Sequence, residues 1–392
     1  MSPNPYIKQY LMTAGPTPIP PRVSQVMAEP VLYHRAPAFV ELYSRVLEKL
    51  PSVFRTSNDV LTFAASGSGA MESAVANLVG ARTPVLACAA GKFGERWIEL
   101  CEAHGAELTT YAPAWGERLD PREIDRLLGE HDRIEVVYAT LSETSTGVVH
   151  DVRAIAEVVR RHDALLVVDA VSGLGATELR QDEWGIDVVV AGSQKALMCP
   201  PGLAFASVSQ RALDVAAQRP GGHYYFDWAK TVKGQRQSSP DSPFTPAVTL
   251  FSALDVALDL IEAEGLDAVL ARHDLLARAT RAGVAGLGLE LFGDPDERST
   301  VVTAISLPTG IDGNRLPGIL RRLGITANGG QNQLKGRIIR IAHCGYFGAF
   351  DILTSLSGLE LALHELGHPV RFGAGVGAAQ GVFAEAGVPA TA

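Results

Sequence analysis

The sequence predicts an α/β fold: a large unit built on a mostly parallel seven-stranded sheet, followed by a smaller C-terminal α/β unit. Three observations carry this. Short apolar runs, most of them rich in β-branched residues, recur at 60–64, 84–88, 107–111, 134–140, 164–169, 188–191 and 203–207. Helical periodicity separates most of them, as at 96–104, 121–128 and 152–162. Strands that alternate with helices pair in parallel, because each parallel step needs a crossover, and the crossover helices cover both faces of the sheet. Third, a Gly/Pro/polar stretch at 220–246 interrupts this pattern. Beyond it a long helix begins near Pro246, and further strands are expected at 301–306 and 337–342.

Taken in order, residues 1–20 are Pro-rich and read as an arm. The large unit is expected over 21–250. Its first helix carries Phe39, Leu42, Tyr43, Val46, Leu47 and Leu50 on one face. The smaller unit is expected over 251–392 and ends in an Ala/Gly-rich stretch from Gly373, read as a last helix running into a loose tail. No internal repeat is visible.

The chain has 392 residues, 47% of them apolar and 20% charged, an ordinary globular composition with material for a large core. A net charge of −9 argues against a nucleic-acid or anionic-membrane partner. No apolar run is long enough to cross a bilayer, and the start of the chain lacks the basic-then-apolar pattern of a signal peptide. Cys88, Cys101, Cys199 and Cys344 are scattered, without zinc or disulfide spacing. A cytoplasmic protein with no metal site is expected.

Two strand ends carry the chemistry. The run Leu165-Leu166-Val167-Val168 ends in Asp169, and Val188-Val189-Val190-Ala191-Gly192 leads through Ser193-Gln194 to Lys195. In parallel α/β sheets ligands collect at the carboxyl ends of the strands. An aspartate and a lysine there are what pyridoxal 5′-phosphate requires. The lysine amine condenses with the cofactor aldehyde, and the aspartate keeps the pyridine nitrogen protonated. Either residue alone would read as a turn cap or a solvated lysine.

Other motifs lie at the same kind of position. Ser66-Gly67-Ser68-Gly69 follows a strand and opens a helix, so its N–H groups and hydroxyls suit a phosphate. Phe93, in Gly91-Lys92-Phe93-Gly94, follows another strand and could stack on a ring. Thr144, in Glu143-Thr144-Ser145-Thr146-Gly147, offers a hydroxyl to a ring oxygen or a carboxylate. Arg340 alternates with Ile339 and Ile341 on a strand, and its guanidinium fork matches an α-carboxylate.

These motifs resemble the class V aminotransferases, fold type I pyridoxal phosphate enzymes, and within them the alanine–glyoxylate and serine–glyoxylate branch. The similarity runs from Gly15-Pro16-Thr17-Pro18 to the C-terminal helices. Its most specific part is Gly192-Ser193-Gln194-Lys195-Ala196-Leu197 followed by Pro200-Pro201-Gly202. The resemblance implies Lys195 as the Schiff-base lysine and Asp169 as the pyridinium partner. It implies Ser66, Gly67, Ser68 and Gln194 at the phosphate, Phe93 on the ring face, Thr144 at the ring oxygen and Arg340 on the substrate carboxylate. Thr245 resembles a residue that reaches the phosphate of a neighbouring subunit, so a homodimer with shared sites is implied.

Some positions depart from the animal members. Phe93 stands where they carry tryptophan, Ser68 where they carry histidine, and Ser242 where they carry tyrosine. Tyr33-His34-Arg35-Ala36-Pro37 is closer to the bacterial and plant branch and makes His34 and Arg35 candidates for substrate contact.

The resemblance implies ping-pong amino transfer from a small donor, alanine or serine, to a 2-oxo acid such as glyoxylate. The other readings are aspartate as donor, ureidoglycine–glyoxylate transamination, and desulfuration or lyase chemistry. Aspartate needs a second cation, and Arg35 is the one the motifs put near the site, a dimer salt bridge being its other reading. Desulfuration needs a nucleophilic cysteine on a mobile loop, and Cys344 at a strand end is its one faint candidate.

Overall fold

The computed structural model describes residues 6–131, 133–219, 223–295 and 298–387. The start of the expected arm and the end of the expected tail lie outside the described residues.

Seven strands form the main sheet: β1 (Asp59–Phe63), β2 (Pro84–Cys88), β3 (Glu107–Tyr111), β4 (Val136–Thr140), β5 (Leu165–Asp169), β6 (Val188–Gly192) and β7 (Ala204–Val208). Their order is β1-β7-β6-β5-β4-β2-β3. All pairings from β6 to β3 are parallel, and β7 runs antiparallel to both β6 and β1. A helix-free loop over residues 193–203 joins β6 to β7, so the chain reverses without a crossover helix.

Period-2 alternation sorts the strands into two cores. Leu86, Val137, Ala139, Leu166, Val168, Val189 and Ala191 face one side, under helices α1 (Pro37–Phe54), α4 (Val152–Arg161) and α5 (Val248–Glu264). Val85, Ala87, Val136, Tyr138, Leu165, Val167, Val188 and Val190 face the other, under α2 (Gly67–Leu78) and α3 (Lys92–Ala103). With both faces buried, β4, β5 and β6 read as continuous apolar runs. Helix α5 fastens to α1 through Phe251, whose ring meets Phe39 and Tyr43 edge-on at 6.1 and 5.2 Å. The expected boundary at residue 250 falls inside α5, whose buried face belongs to the first core.

The C-terminal part is built on a four-stranded antiparallel sheet, β8 (Glu290–Leu291), β9 (Val302–Ser306), β10 (Asn328–Gly329) and β11 (Ile338–Ala342), in the order β8-β9-β11-β10. Helices α6 (Leu266–Gly286), α7 (Ala349–Glu365) and α8 (Ala374–Glu385) contribute to its core. The arm, expected to be irregular, contains a short strand: Tyr10–Leu11 pairs in parallel with Ile325–Thr326, and Met12 and Ala14 are buried in the C-terminal core. No helix among the described residues is long and apolar enough to cross a membrane, and the four cysteines are free and buried.

Candidate active site

The carboxyl ends of β1, β2, β4, β5 and β6 lie on one edge of the sheet, because these strands run the same way and β7 lies antiparallel between β1 and β6. The loops leaving them bring the predicted residues together. Asp169 closes β5 and is 4% exposed, and Lys195 follows β6 and is 9% exposed. Asp169 Oδ1 accepts the N–H of Val171 at 2.7 Å. Burial pushes its carboxyl up to about 6; Glu143 adds to the rise, and the charges of Arg96 and Lys195 oppose it. Burial likewise lowers the pKa of Lys195, against the pull of Cys344 and Asp169. The lysine Nζ donates to the carbonyl of Ala14 at 2.5 Å.

Helix α2 begins at Gly67, directly beside this pair. A Cβ on Gly67 would meet Val171 Cγ2 at 2.7 Å, so glycine lets the helix N-terminus press against the β5 loop. Ser66 stands at the N-cap without a side-chain capping bond. Oε1 of Gln194 is buried with no hydrogen-bond partner. The free N–H groups of an uncapped helix N-terminus suit an anionic ligand.

The ring of Phe93 sits in the first turn of α3, half-buried. The cap of α3, Gly91, has no side chain to offer. Glu143, fully buried, takes that role from the loop after β4: its Oε2 accepts from the N–H of Phe93 (3.1 Å) and Gly94 (2.9 Å), and its Oε1 from the N–H and Oγ of Ser145 (3.1 and 2.6 Å). Next to it, Thr144 Oγ1 donates to Ser172 Oγ at 3.1 Å, and its carbonyl accepts from Arg340 Nη1 at 2.8 Å. Arg340 also donates to the carbonyl of Gly329, from Nε at 3.1 Å and Nη2 at 2.9 Å. Burial lowers its guanidinium to about 10, with the charge of Glu143 opposing, and both hydrogen-bond partners are neutral oxygens, so the fork is available to an incoming carboxylate.

Other predicted residues stand further out. Thr245 is exposed and lines a shallow pocket with Phe63, Ala64 and Tyr225, where β1 leads toward Ser66. Arg35 is exposed and His34 half-buried, its ring against Tyr33 at 5.0 Å. Neither meets Lys195, Asp169 or Arg340 among the described residues. Cys344 is completely buried near Lys195, its thiol pushed up to about 11 by burial, which leaves no mobile thiolate for desulfuration.

Sequence reasoning missed four contributors. Glu143 lies inside the Glu143–Gly147 motif, but its role as a cap in trans has no local signal. Ala14 and Asn328 join the site through long-range contacts. Arg96 corrects the expectation that Arg35 is the one available second cation. Its guanidinium lies 5.2 Å from the Phe93 ring centroid, its charge reaches Asp169 and Lys195, and no ion pair engages it among the described residues.

Asp169 has a stability signature. Its folded pKa lies above the usual carboxylate value, so its contribution to folding is complete below pH 4 and is lost as pH rises through about 6. In ligand-free protein, Asp169→Asn removes this loss. The variant should gain about 3 kcal/mol on the wild type between pH 4 and 7 in denaturant unfolding. Parallel stability curves for the two proteins would show that the carboxylate is not strained by burial.

The family profile described as Aminotransferase class-V matches residues 9–341. A protein of Synechococcus named soluble hydrogenase, small subunit, is 40% identical, with 97% of this chain and 99% of that protein covered. The serine–glyoxylate aminotransferase of Hyphomicrobium methylovorum is 35% identical over 97% of this chain and 95% of its own. The crystal structure of ureidoglycine–glyoxylate aminotransferase from Bacillus subtilis superposes with a TM-score of 0.92 at 33% identity, covering 96% and 98% of the two chains. With a profile spanning most of its length and relatives aligned nearly end to end, this chain belongs to the class V aminotransferase family and is a pyridoxal phosphate-dependent transaminase.

Proposed function

We propose that the protein moves an amino group from a small amino acid, alanine or serine, to glyoxylate by a ping-pong route. The observation that carries the reading is the joint burial of Lys195 and Asp169 at neighbouring strand ends, with Arg340 of the second sheet bonded to the Thr144 carbonyl and its charge felt at Lys195. Glyoxylate as acceptor is supported by the names of two relatives, the Hyphomicrobium and Bacillus enzymes.

The residues fit pyridoxal phosphate. The uncapped N-terminus of α2, with the backbone N–H groups and hydroxyls of Ser66, Gly67 and Ser68, provides donors for a phosphate, and Gln194 would add its amide N–H. Phe93 would cover a ring face, Thr144 would meet a ring oxygen, and Asp169 would hold the proton of a ring nitrogen. When bound, the cofactor supplies an electron sink for the pair left at substrate Cα when its proton departs.

In this reading Arg340 stays anchored through Nε on the Gly329 carbonyl and presents its Nη groups to the substrate α-carboxylate, which fixes the side of the site that Cα occupies. Lys195 takes the proton from Cα through Nζ. Its lowered pKa, set by burial, favours the free amine that this step needs. The 2-oxo acid leaves, and a second one enters on the same arginine and retraces the route.

A second donor reading rests on Arg96. A cation with no ion pair among the described residues, beside Phe93, suits the distal carboxylate of aspartate. Glyoxylate assays should give higher kcat/KM for alanine or serine than for aspartate. If the order is reversed, the small-donor reading falls, and Arg96→Gln should then cost aspartate turnover about 2–4 kcal/mol in kcat/KM while sparing alanine.

The chemistry is tested most directly by Lys195→Ala. The variant should lose turnover together with the visible absorbance that borohydride bleaches in the wild type. A variant that keeps that band would refute the assignment of the lysine.

A homodimer completes the reading. Thr245 is exposed beside Ala64, and Val31, Tyr33, Tyr224 and Phe350 expose 72%, 62%, 74% and 71% of their surface, apolar area of the kind a partner subunit covers. Light scattering should return twice the chain mass at assay concentration, and an active monomer would end the idea.

A further inference from the structure

The arm reaches Lys195 by an unusual support. From Tyr10 to Met12 its backbone is held as a strand: Tyr10 N–H donates to Gly324 O at 2.7 Å, Met12 N–H to Thr326 O at 2.8 Å, and Ala342 N–H to Met12 O at 3.3 Å. Two residues on, the Ala14 N–H meets a side chain instead, the Oδ1 of Asn328 at 3.1 Å. The other side of the same residue, its carbonyl, receives the Lys195 amine. Gly15 then lies so close that a Cβ on it would stand 2.3 Å from Lys195 Nζ. Thr17 closes the clamp, with its N–H on Gln194 O (3.1 Å) and its hydroxyl on Lys195 O (2.9 Å).

Asn328 belongs to β10, the two-residue edge strand that also steadies Arg340. It stands directly opposite Arg340 in the ladder, and the next residue, Gly329, gives its carbonyl to the guanidinium. One short strand therefore holds the substrate-side arginine through a main-chain oxygen and, through one side chain, the acceptor of the lysine amine.

Resting on the transaminase reading above, we propose that Asn328 is a positioning residue: it holds the Ala14 carbonyl where the free Lys195 amine docks, and so keeps that amine in register with the carboxylate bound to Arg340. Neither the apolar periodicity nor the motifs of the sequence assign this position a role.

The test uses the holoenzyme with Asn328→Ala and Asn328→Asp. Hydrogen exchange of peptides covering residues 10–17 should accelerate about tenfold in Asn328→Ala, the scale for one lost hydrogen bond. In the same variant kcat should fall about tenfold or more, with donor KM within about threefold and cofactor content unchanged. The aspartate variant keeps an acceptor oxygen, so exchange of the arm should return to the wild-type rate. An arm that stays protected in Asn328→Ala overturns the proposal. So does an arm that loosens while kcat holds. Exchange is read without turnover, so a failure of the transaminase reading itself would show separately, in Lys195→Ala.

Discussion

The structure turns on placing an amine and a carboxylate out of water at the ends of neighbouring strands. Burial penalises both charges, as the raised carboxyl of Asp169 and the lowered amine of Lys195 record. Such a pair is tolerable only where the surroundings stay fixed. The close approach of Gly67 to Val171, the clamp of the arm across Lys195 and the covering of the sheet on both faces supply that rigidity. A site of this kind is preorganised: the protein itself desolvates the two groups and fixes their orientation.

The two sheets divide the labour. The mostly parallel sheet places the lysine, the aspartate and the helix N-terminus, since its topology delivers six strand ends to one edge. The antiparallel sheet contributes Arg340 from a strand interior, where the alternation of side chains aims it with little freedom. The arm bridges the two: its backbone pairs beside the antiparallel sheet, and its Ala14 carbonyl receives the lysine amine.

The large sheet was legible in the sequence because strands buried on both faces must be apolar along their length, and 136–139, 165–168 and 188–192 are. The positions of Asp169, Lys195 and the Ser66 turn were legible for the same reason, since a polar residue that closes an apolar run stands where the strand leaves the core. Arg340 was legible as the one charge inside such a run. What lay hidden is contact between distant segments. Ala14 and Asn328 are 314 residues apart in the chain, and neither forms part of a periodic pattern. The strand in the arm is two residues long and pairs outside the main sheet, too short for alternation to mark it. The boundary expected at 250 followed composition, whereas packing carries α5 onto the first core.

The cap of α3 has a consequence for how such a sequence can change. A Cβ at position 91 would overlap Glu143 Cδ at 2.4 Å and Ser145 Oγ at 2.6 Å. The glycine is therefore bound to a carboxylate about fifty residues downstream, and no side chain enters at 91 while Glu143 stays. A shorter residue at 143 would admit one but would strip the helix of its acceptor. The two positions form a lock that single steps cannot open, so lineages should keep the pair intact or exchange both together, with the aromatic ring at 93 carried along by whichever cap the helix retains.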